Sequence, residues 1–343
     1  LTSVLLLITD NIEMLSIIYS TTVFPFGFVL ENVEGLVNHD RENPKDKIGR
    51  TLTTILQHLE ALGYEVNWRV LNAKNFAVPQ DRKRIYIVGT KKEKPSLEKF
   101  PIKHKKLSEV LEVGLPTSNS RFTELLLTHY TVEELYGKSI KDKRGGDNNI
   151  HSWDIEYKGA ITPRQIELLN KMLKERRKKK WAEIYGIDWM DGMPLTVEFI
   201  RSFFDDPDLE AMLEDLVNKK YVVKEHPKKK VGNVRVQDES LPIGYNIVAG
   251  KMSFEVSKIL DPNGIAPTLV AMDMQHLYVV DGNGLRTLSL REGLRLFGYP
   301  DDYKFDVKIE DGYDLLGNTV VVPVIKAVSE RVVELYQKHN KEI

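Results

Sequence analysis

The sequence predicts an α/β fold, and four stretches carry that prediction. In residues 28–36, FVLENVEGL, an apolar run (Phe26, Phe28, Val29, Leu30) stops abruptly at Glu31 and Asn32. That is the pattern of a buried parallel strand delivering polar groups at its carboxyl end. Residues 49–62 place Leu52, Ile55, Leu56, Leu59 and Leu62 on one helical face, and Gly63 ends the helix. Residues 64–71 (YEVNWRVL) then alternate like a strand, and a second apolar strand covers residues 85–88.

From the start of the chain, the apolar run at residues 4–8 is short, is followed by Asp10 and Glu13, and lacks a basic leader, so no signal peptide is expected. With 343 residues and a net charge of −1, two domains with real cores are expected, and no stretch is long enough to span a bilayer. The absence of cysteine fits a cytoplasmic protein. Glu31 has two readings: a partly desolvated carboxylate in a ligand crevice, its pKa raised so that it shares or donates a proton, or a cap for the following helix. In residues 76–89, FAVPQDRKRIYIVG, Gln80, Arg82 and Arg84 alternate and so share one face of an extended chain. Two guanidiniums aimed the same way suit a phosphate or a base carbonyl; solvated edge-strand arginines would look the same.

Beyond residue 95 the lysine-rich KKEKPSLEKFPIKHKK marks a domain boundary. Residues 100–160 hold short helical pieces such as VEELYG and a polar GGDNN turn. TPRQIELLNKMLKERRKKKW reads as one helix, with Thr162 as N-cap and Pro163 in the first position. Further helices are expected near residues 196–204 and 207–219, and YVVKEHPKKKVGNVRVQ reads as a two-stranded wing. Three helices and a basic hairpin resemble a winged helix, which docks on DNA. Arg176, Arg177, Lys178, Lys179 and Lys180 are five successive cations, suited either to phosphates or to a solvated helix end. Thr268 and Leu269 follow Pro267 at a turn before a strand expected over residues 269–272. Ser289 and Glu292 form a capping box in LRTLSLREGLRLFGYP, and LGNTVVVPVI runs into an amphipathic terminal helix.

The stretches ENV, QxRxR, RxLxxRExxRLxGxP and GNxVxxPVI stand in one order, with a long variable region between the second and third. In this the sequence resembles the DNA (cytosine-5)-methyltransferases of restriction-modification systems. Four motifs in order are far more specific than any one of them. The resemblance covers roughly residues 25–338. It implies a partial Rossmann-like S-adenosylmethionine-dependent methyltransferase domain plus a target-recognition domain with a winged-helix part, acting on double-stranded DNA and not on a membrane. The domains expected are an atypical segment 1–24, the C-terminal half of the catalytic domain over 25–95, target recognition over 96–300, and a return to the catalytic domain over 301–343.

The resemblance also implies roles. Glu31 would hydrogen-bond cytosine N3 and the exocyclic amine, while Arg84, with Arg82, would bind O2 or the adjacent phosphate. Asn32, Gln80 and Asn318 would support the base pocket. Asn318 and Val320 would lie beside S-adenosyl-L-methionine, and Thr268 and Leu269 would contact DNA around the displaced base. Arg291, Glu292 and Arg295 would be an internal ion-pair scaffold of the small domain. Missing before Glu31 are a glycine-rich cofactor turn and a Pro-Cys loop, and neither Ser nor Thr replaces a thiolate in addition to cytosine C6.

These absences lead to the expectation of a C-terminal part of such an enzyme, inactive alone and needing a separate chain with the first half. Residues 26–33 would then lie at an open sheet edge, which residues 1–24 could cover only as an improvised strand or helix. A natural split enzyme and an interrupted gene fit equally. A non-catalytic winged-helix DNA-binding module and an inert gene product are the alternatives in function.

Overall fold

The structure is a computed structural model that describes residues 4–8, 25–143, 145–146, 148–187, 192–232, 234–248 and 254–340. Most of segment 1–24, and Asp147 of the GGDNN turn, therefore lie outside the described residues. The chain forms two compact units, one of residues 1–112, 261–275 and 288–343, the other of residues 113–260 and 276–287.

The first unit is organised around a four-stranded sheet in the order β1 (Val4–Ile8), β2 (Gly27–Val33), β4 (Lys83–Thr90), β3 (Glu65–Asn72), with helix α1 (Arg50–Ala61) between β2 and β3 in sequence. Strand β2 runs parallel to β1 and antiparallel to β4, and β3 is antiparallel to β4. One face carries Phe28, Val66, Ile85 and Ile87, buried against Leu52 and Leu59 of α1. Each such fully buried side chain contributes about 1.5–3 kcal/mol. Helix α1 forms where the apolar spacing predicts and ends at Gly63, whose φ of 81° continues the chain left-handed. On the other face the terminal helix Val322–Asn340 packs on β2 and β4, so closely that a Cβ on Gly27 would stand 2.7 Å from Val332. Helices thus cover both faces, as in a doubly wound sheet.

Two expectations are corrected. The sheet is mixed, because β4 enters between β2 and β3 antiparallel to both. Strand β2 is also not at an open edge: Val4–Ile8 pairs along it, Leu7 opposite Leu30 and Ile8 opposite Glu31.

The second unit has a five-stranded sheet in the order Gly284–Thr287, Leu277–Asp281, Lys258–Ile259, Ser139–Ile140, Asn149–Ile150. Helix Arg121–His129 covers it through Phe122 and Leu126. A separate core gathers Trp153, Leu168, Leu169, Ile200, Phe204, Leu213 and Tyr221 from helices Pro163–Glu175, Val197–Arg201 and Leu209–Asn218 and their neighbours. Thr162 caps the first of these helices in a capping box with Gln165, and Pro163 follows it. Lys228–Val231 and Val234–Gln237 pair as the expected hairpin.

Three sequence expectations in the variable region and beyond it fail locally. VEELYG forms turns, and the helix lies earlier, at Arg121–His129. The helix from Pro163 stops at Glu175, and a new one begins at Lys179. Residues 269–272 do not form a strand: Ala271–Met274 is a short helix in the first unit.

Candidate active site

Glu31 stands near the carboxyl end of β2, opposite Tyr86 of β4 and on the sheet face turned away from α1. It does not cap a helix: the short 3-10 turn Glu34–Asn38 is preceded by Val33 with no side-chain cap, and α1 by Gly49. Instead its carboxylate meets the Arg84 Nε at 3.3 Å, with side-chain exposures of 8% for Glu31 and 15% for Arg84. The pairing follows from register. Arg84 lies opposite Val33, one diagonal step from Glu31 on the same face. Burial, helped by the Glu31 carboxylate, pushes the Tyr86 phenol well above its ordinary pKa, and Arg82 and Arg84 oppose this only in part. Asn32 accepts from the Val33 amide at 2.7 Å, tying down the strand end.

Gln80 and Arg82 take different partners from Arg84. Gln80 is fully buried; its amide donates to the Leu296 carbonyl at 2.8 Å and accepts from the Leu269 amide at 3.5 Å. The Arg82 guanidinium donates to the carbonyls of Leu269 (2.9 Å), Gly317 (3.2 Å) and Thr319 (3.2 Å) and lies over the Phe297 ring. The shared fork expected from alternation is therefore divided. Arg84 serves the carboxylate, while Gln80 and Arg82 fasten three motif loops together. Tyr299 adds a hydroxyl contact to Thr319 at 2.8 Å.

A short ladder along residues 79–81 and 266 brings Thr268 to the same place, its hydroxyl donating to the Asp81 carbonyl at 2.7 Å. Thr268, Arg84, Lys83, Glu34 and Asp81 line a cavity of about 320 Å³. Leu269 is fully buried, so only its backbone takes part. Sequence reasoning missed Lys83 and Glu34, an ion pair at 3.6 Å, because alternation assigns Lys83 to the face opposite Arg82 and Arg84. Arg291, Glu292 and Arg295 belong to the first unit. Glu292 closes the capping box of Ser289 and accepts from the Glu112 amide, Arg295 pairs with Asp301, and Arg291 donates to the Pro300 and Tyr303 carbonyls.

In the second unit the five cations separate. Arg176 is buried, donating to Asn246 Oδ1 at 2.7 Å and to the Ile247 carbonyl at 3.1 Å, and a Cβ on Gly192 would collide with it. Arg177, Lys178, Lys179 and Lys180 are exposed, with Lys178 and Lys180 beside Glu175. Among the described residues no cluster suits a metal ion, and no helix is long and apolar enough to cross a membrane.

Asn318 ends the helix Ile309–Gly317 and donates to the Asp314 carbonyl at 3.0 Å, and Val320 is almost buried. The Asn318 amide nitrogen serves its own helix while the side chain stays exposed, and the Val320 side chain is turned inward.

The comparisons with known proteins bear on the whole chain. A type II methyltransferase of Neisseria lactamica, M.NlaIV, is 66% identical over 307 residues, covering 90% of this chain and 73% of that protein. M.BanI of Aneurinibacillus aneurinilyticus is 37% identical, covering 93% and 73%. The solved S. pombe Dnmt2 methyltransferase is 12% identical with a TM-score of 0.46, covering 97% of this chain and 78% of that one. The family model for C-5 cytosine-specific DNA methylases matches residues 7–334. This overturns the expectation of a C-terminal part alone, in which the resemblance begins near Phe26: the match begins inside segment 1–24 and runs nearly to the end of the terminal helix. The family uses S-adenosyl-L-methionine, and its catalytic fold is the Rossmann-like one. The chain belongs to the C-5 cytosine-specific DNA methylase family.

Proposed function

We propose that this chain binds cytosine in duplex DNA as part of a type II modification system, and that the Glu31–Arg84 pair receives the extruded base. The observation that carries this is a partly desolvated carboxylate and guanidinium 3.3 Å apart on neighbouring strands, beside a cavity of about 320 Å³. A base inside a duplex has to leave the stack before its ring can react. In the family's reaction a thiolate adds to C6 and negative charge moves toward N3 and O2; this chain holds no such thiolate, and what its own residues supply is the binding of those two positions. Glu31 meets N3 and the exocyclic amine, which also separates cytosine from thymine, and Arg84 meets O2. Asn32, Gln80 and Arg82 hold these groups in place, with Thr268 at the rim. Residues 113–260 and 276–287 are the target-recognition part, and exposed Arg177, Lys178, Lys179 and Lys180 meet phosphates. S-adenosyl-L-methionine supplies the methyl group in this family; Asn318 and Val320 would stand near it only as packing groups.

The 343 residues contain no cysteine, so no thiolate among them attacks C6. The purified chain is expected to transfer no label from methyl-labelled S-adenosyl-L-methionine to mixed-sequence duplex DNA. Incorporation above a DNA-free control overturns that statement. The base site is tested separately by binding. Duplexes with a mismatched, easily extruded cytosine should bind more tightly than matched ones, and Glu31→Gln should remove most of that preference, about tenfold for the loss of one charged hydrogen bond. Equal preference in both proteins would remove Glu31 from the base site.

A further inference from the structure

We infer that a groove along the outer edge of β3 holds the sugar–phosphate backbone of the DNA strand next to the extruded cytosine. The inference rests on the base-site reading above and extends it to a second place on the first unit. The groove has a volume of about 420 Å³, and Glu34 and Lys83 line both it and the cavity at Arg84, so the two adjoin. Beyond Lys83 its cations are Arg69 and Lys99. Neither has a carboxylate partner among the described residues, and Arg69 donates only to the Leu97 carbonyl. The single carboxylate of the lining, Glu34, already faces Lys83.

The walls are built rather than incidental. Residues 75–77 and 103 are joined by backbone bonds of 2.8 and 2.9 Å, and the Phe76 and Phe100 rings pack with centroids 5.4 Å apart. Two non-glycine residues next to these rings, Ala77 (φ 60°) and Lys99 (φ 56°), hold left-handed backbone. Such conformations cost about 1 kcal/mol or more each and persist where surrounding structure fixes them. Here they set the rings side by side as an apolar wall, continued by Ile102, which is 67% exposed. Cations interspersed with apolar rings along one groove match phosphates and the C–H faces of deoxyribose. Asn72 stands opposite Lys83, and Arg69 lies three residues away along β3, roughly 10 Å at the usual strand rise, so the two cations reach the groove from opposite faces of the sheet edge.

The test measures affinity of the full chain for mixed-sequence duplex as a function of salt, for the parent and for Lys99→Gln, Arg69→Gln and the exposed control Lys326→Gln. Each groove variant should lower the slope of log K against log salt by about 0.9, while the control leaves it unchanged. If the parent binds duplex and the groove variants keep the parent slope, or weaken binding no more than the control, the groove proposal is overturned and the base site is untouched. If an acidic peptide displaces no DNA but binds the parent in a Lys99-dependent way, the groove serves a protein segment instead, and the proposal falls. If the parent does not bind duplex at all, the reading on which the groove rests fails with it. Unchanged unfolding midpoints establish that the variants are folded.

Discussion

Arg82 and Arg84 stand two residues apart and do opposite work. Arg84 is held beside a carboxylate and keeps a share of solvent, whereas Arg82 is spent on three backbone carbonyls inside the first unit. Arg82→Met is therefore expected to leave buried acceptors without donors. The cost is on the order of 3 kcal/mol, which lowers the midpoint of the first unit by roughly 6–12 °C. A midpoint within about 2 °C of the parent, measured by thermal unfolding, would show that Arg82 is not the clamp the geometry describes. Period-two alternation makes Gln80, Arg82 and Arg84 legible as a group. It cannot say that Leu269, Leu296 and residues 317–319 arrive at two of them, because those partners lie 187 or more residues away in sequence. The Glu31–Arg84 pair is nearer to hand, since the two residues sit in motifs that the family resemblance already groups.

At the scale of elements, the helix whose spacing runs through Trp181 breaks after Glu175 because Arg176 turns inward. Its guanidinium bonds Asn246 and the Ile247 carbonyl of the strand Gly244–Ile247, beside a glycine that leaves it room. Helical spacing and a run of cations look alike whether a side chain faces water or a core, so the break is not legible in the sequence. Two variants separate the roles. Arg176→Ala should destabilise the second unit by on the order of 3 kcal/mol, through the unpaired polar groups it leaves. Replacing Arg177, Lys178, Lys179 and Lys180 together with alanine should leave stability nearly unchanged and weaken duplex binding alike on all sequences. The salt slope should fall by about 0.9 for each phosphate that the variant no longer neutralises. Unaltered binding by that variant would make the four cations a solvated helix end. Strand β1 is illegible for a related reason. Five apolar residues with no alternation and no turn signal give no register for pairing, and no family motif marks them, so the sequence puts β2 at an edge that β1 in fact covers.

The whole molecule has two units with separate cores, and each buries a phenol. Tyr86 in the first unit is raised by burial and by Glu31; Tyr221 in the second is pushed up to about 12, mainly by burial. In the unfolded chain both phenols titrate near pH 10. Below pH 10 both states hold these protons, and the phenols do not alter the balance. Above it the unfolded chain releases them while the folded units retain them, so stability falls as pH rises, up to the raised folded values. The limiting slope is about 1.4 kcal/mol per pH unit for each phenol. Lysines titrate in the same range, so the difference between parent and variant isolates each phenol. Tyr86→Phe should flatten the loss of urea midpoint between pH 10 and 12. Tyr221→Phe should do the same from a lower starting point, because its hydroxyl also donates to the Gly159 carbonyl at 2.9 Å. Curves that stay parallel to the parent across this range would mean that neither phenol is held neutral by folding. A change confined to one variant would instead assign the alkaline limit to one unit, and with it the unit that opens first.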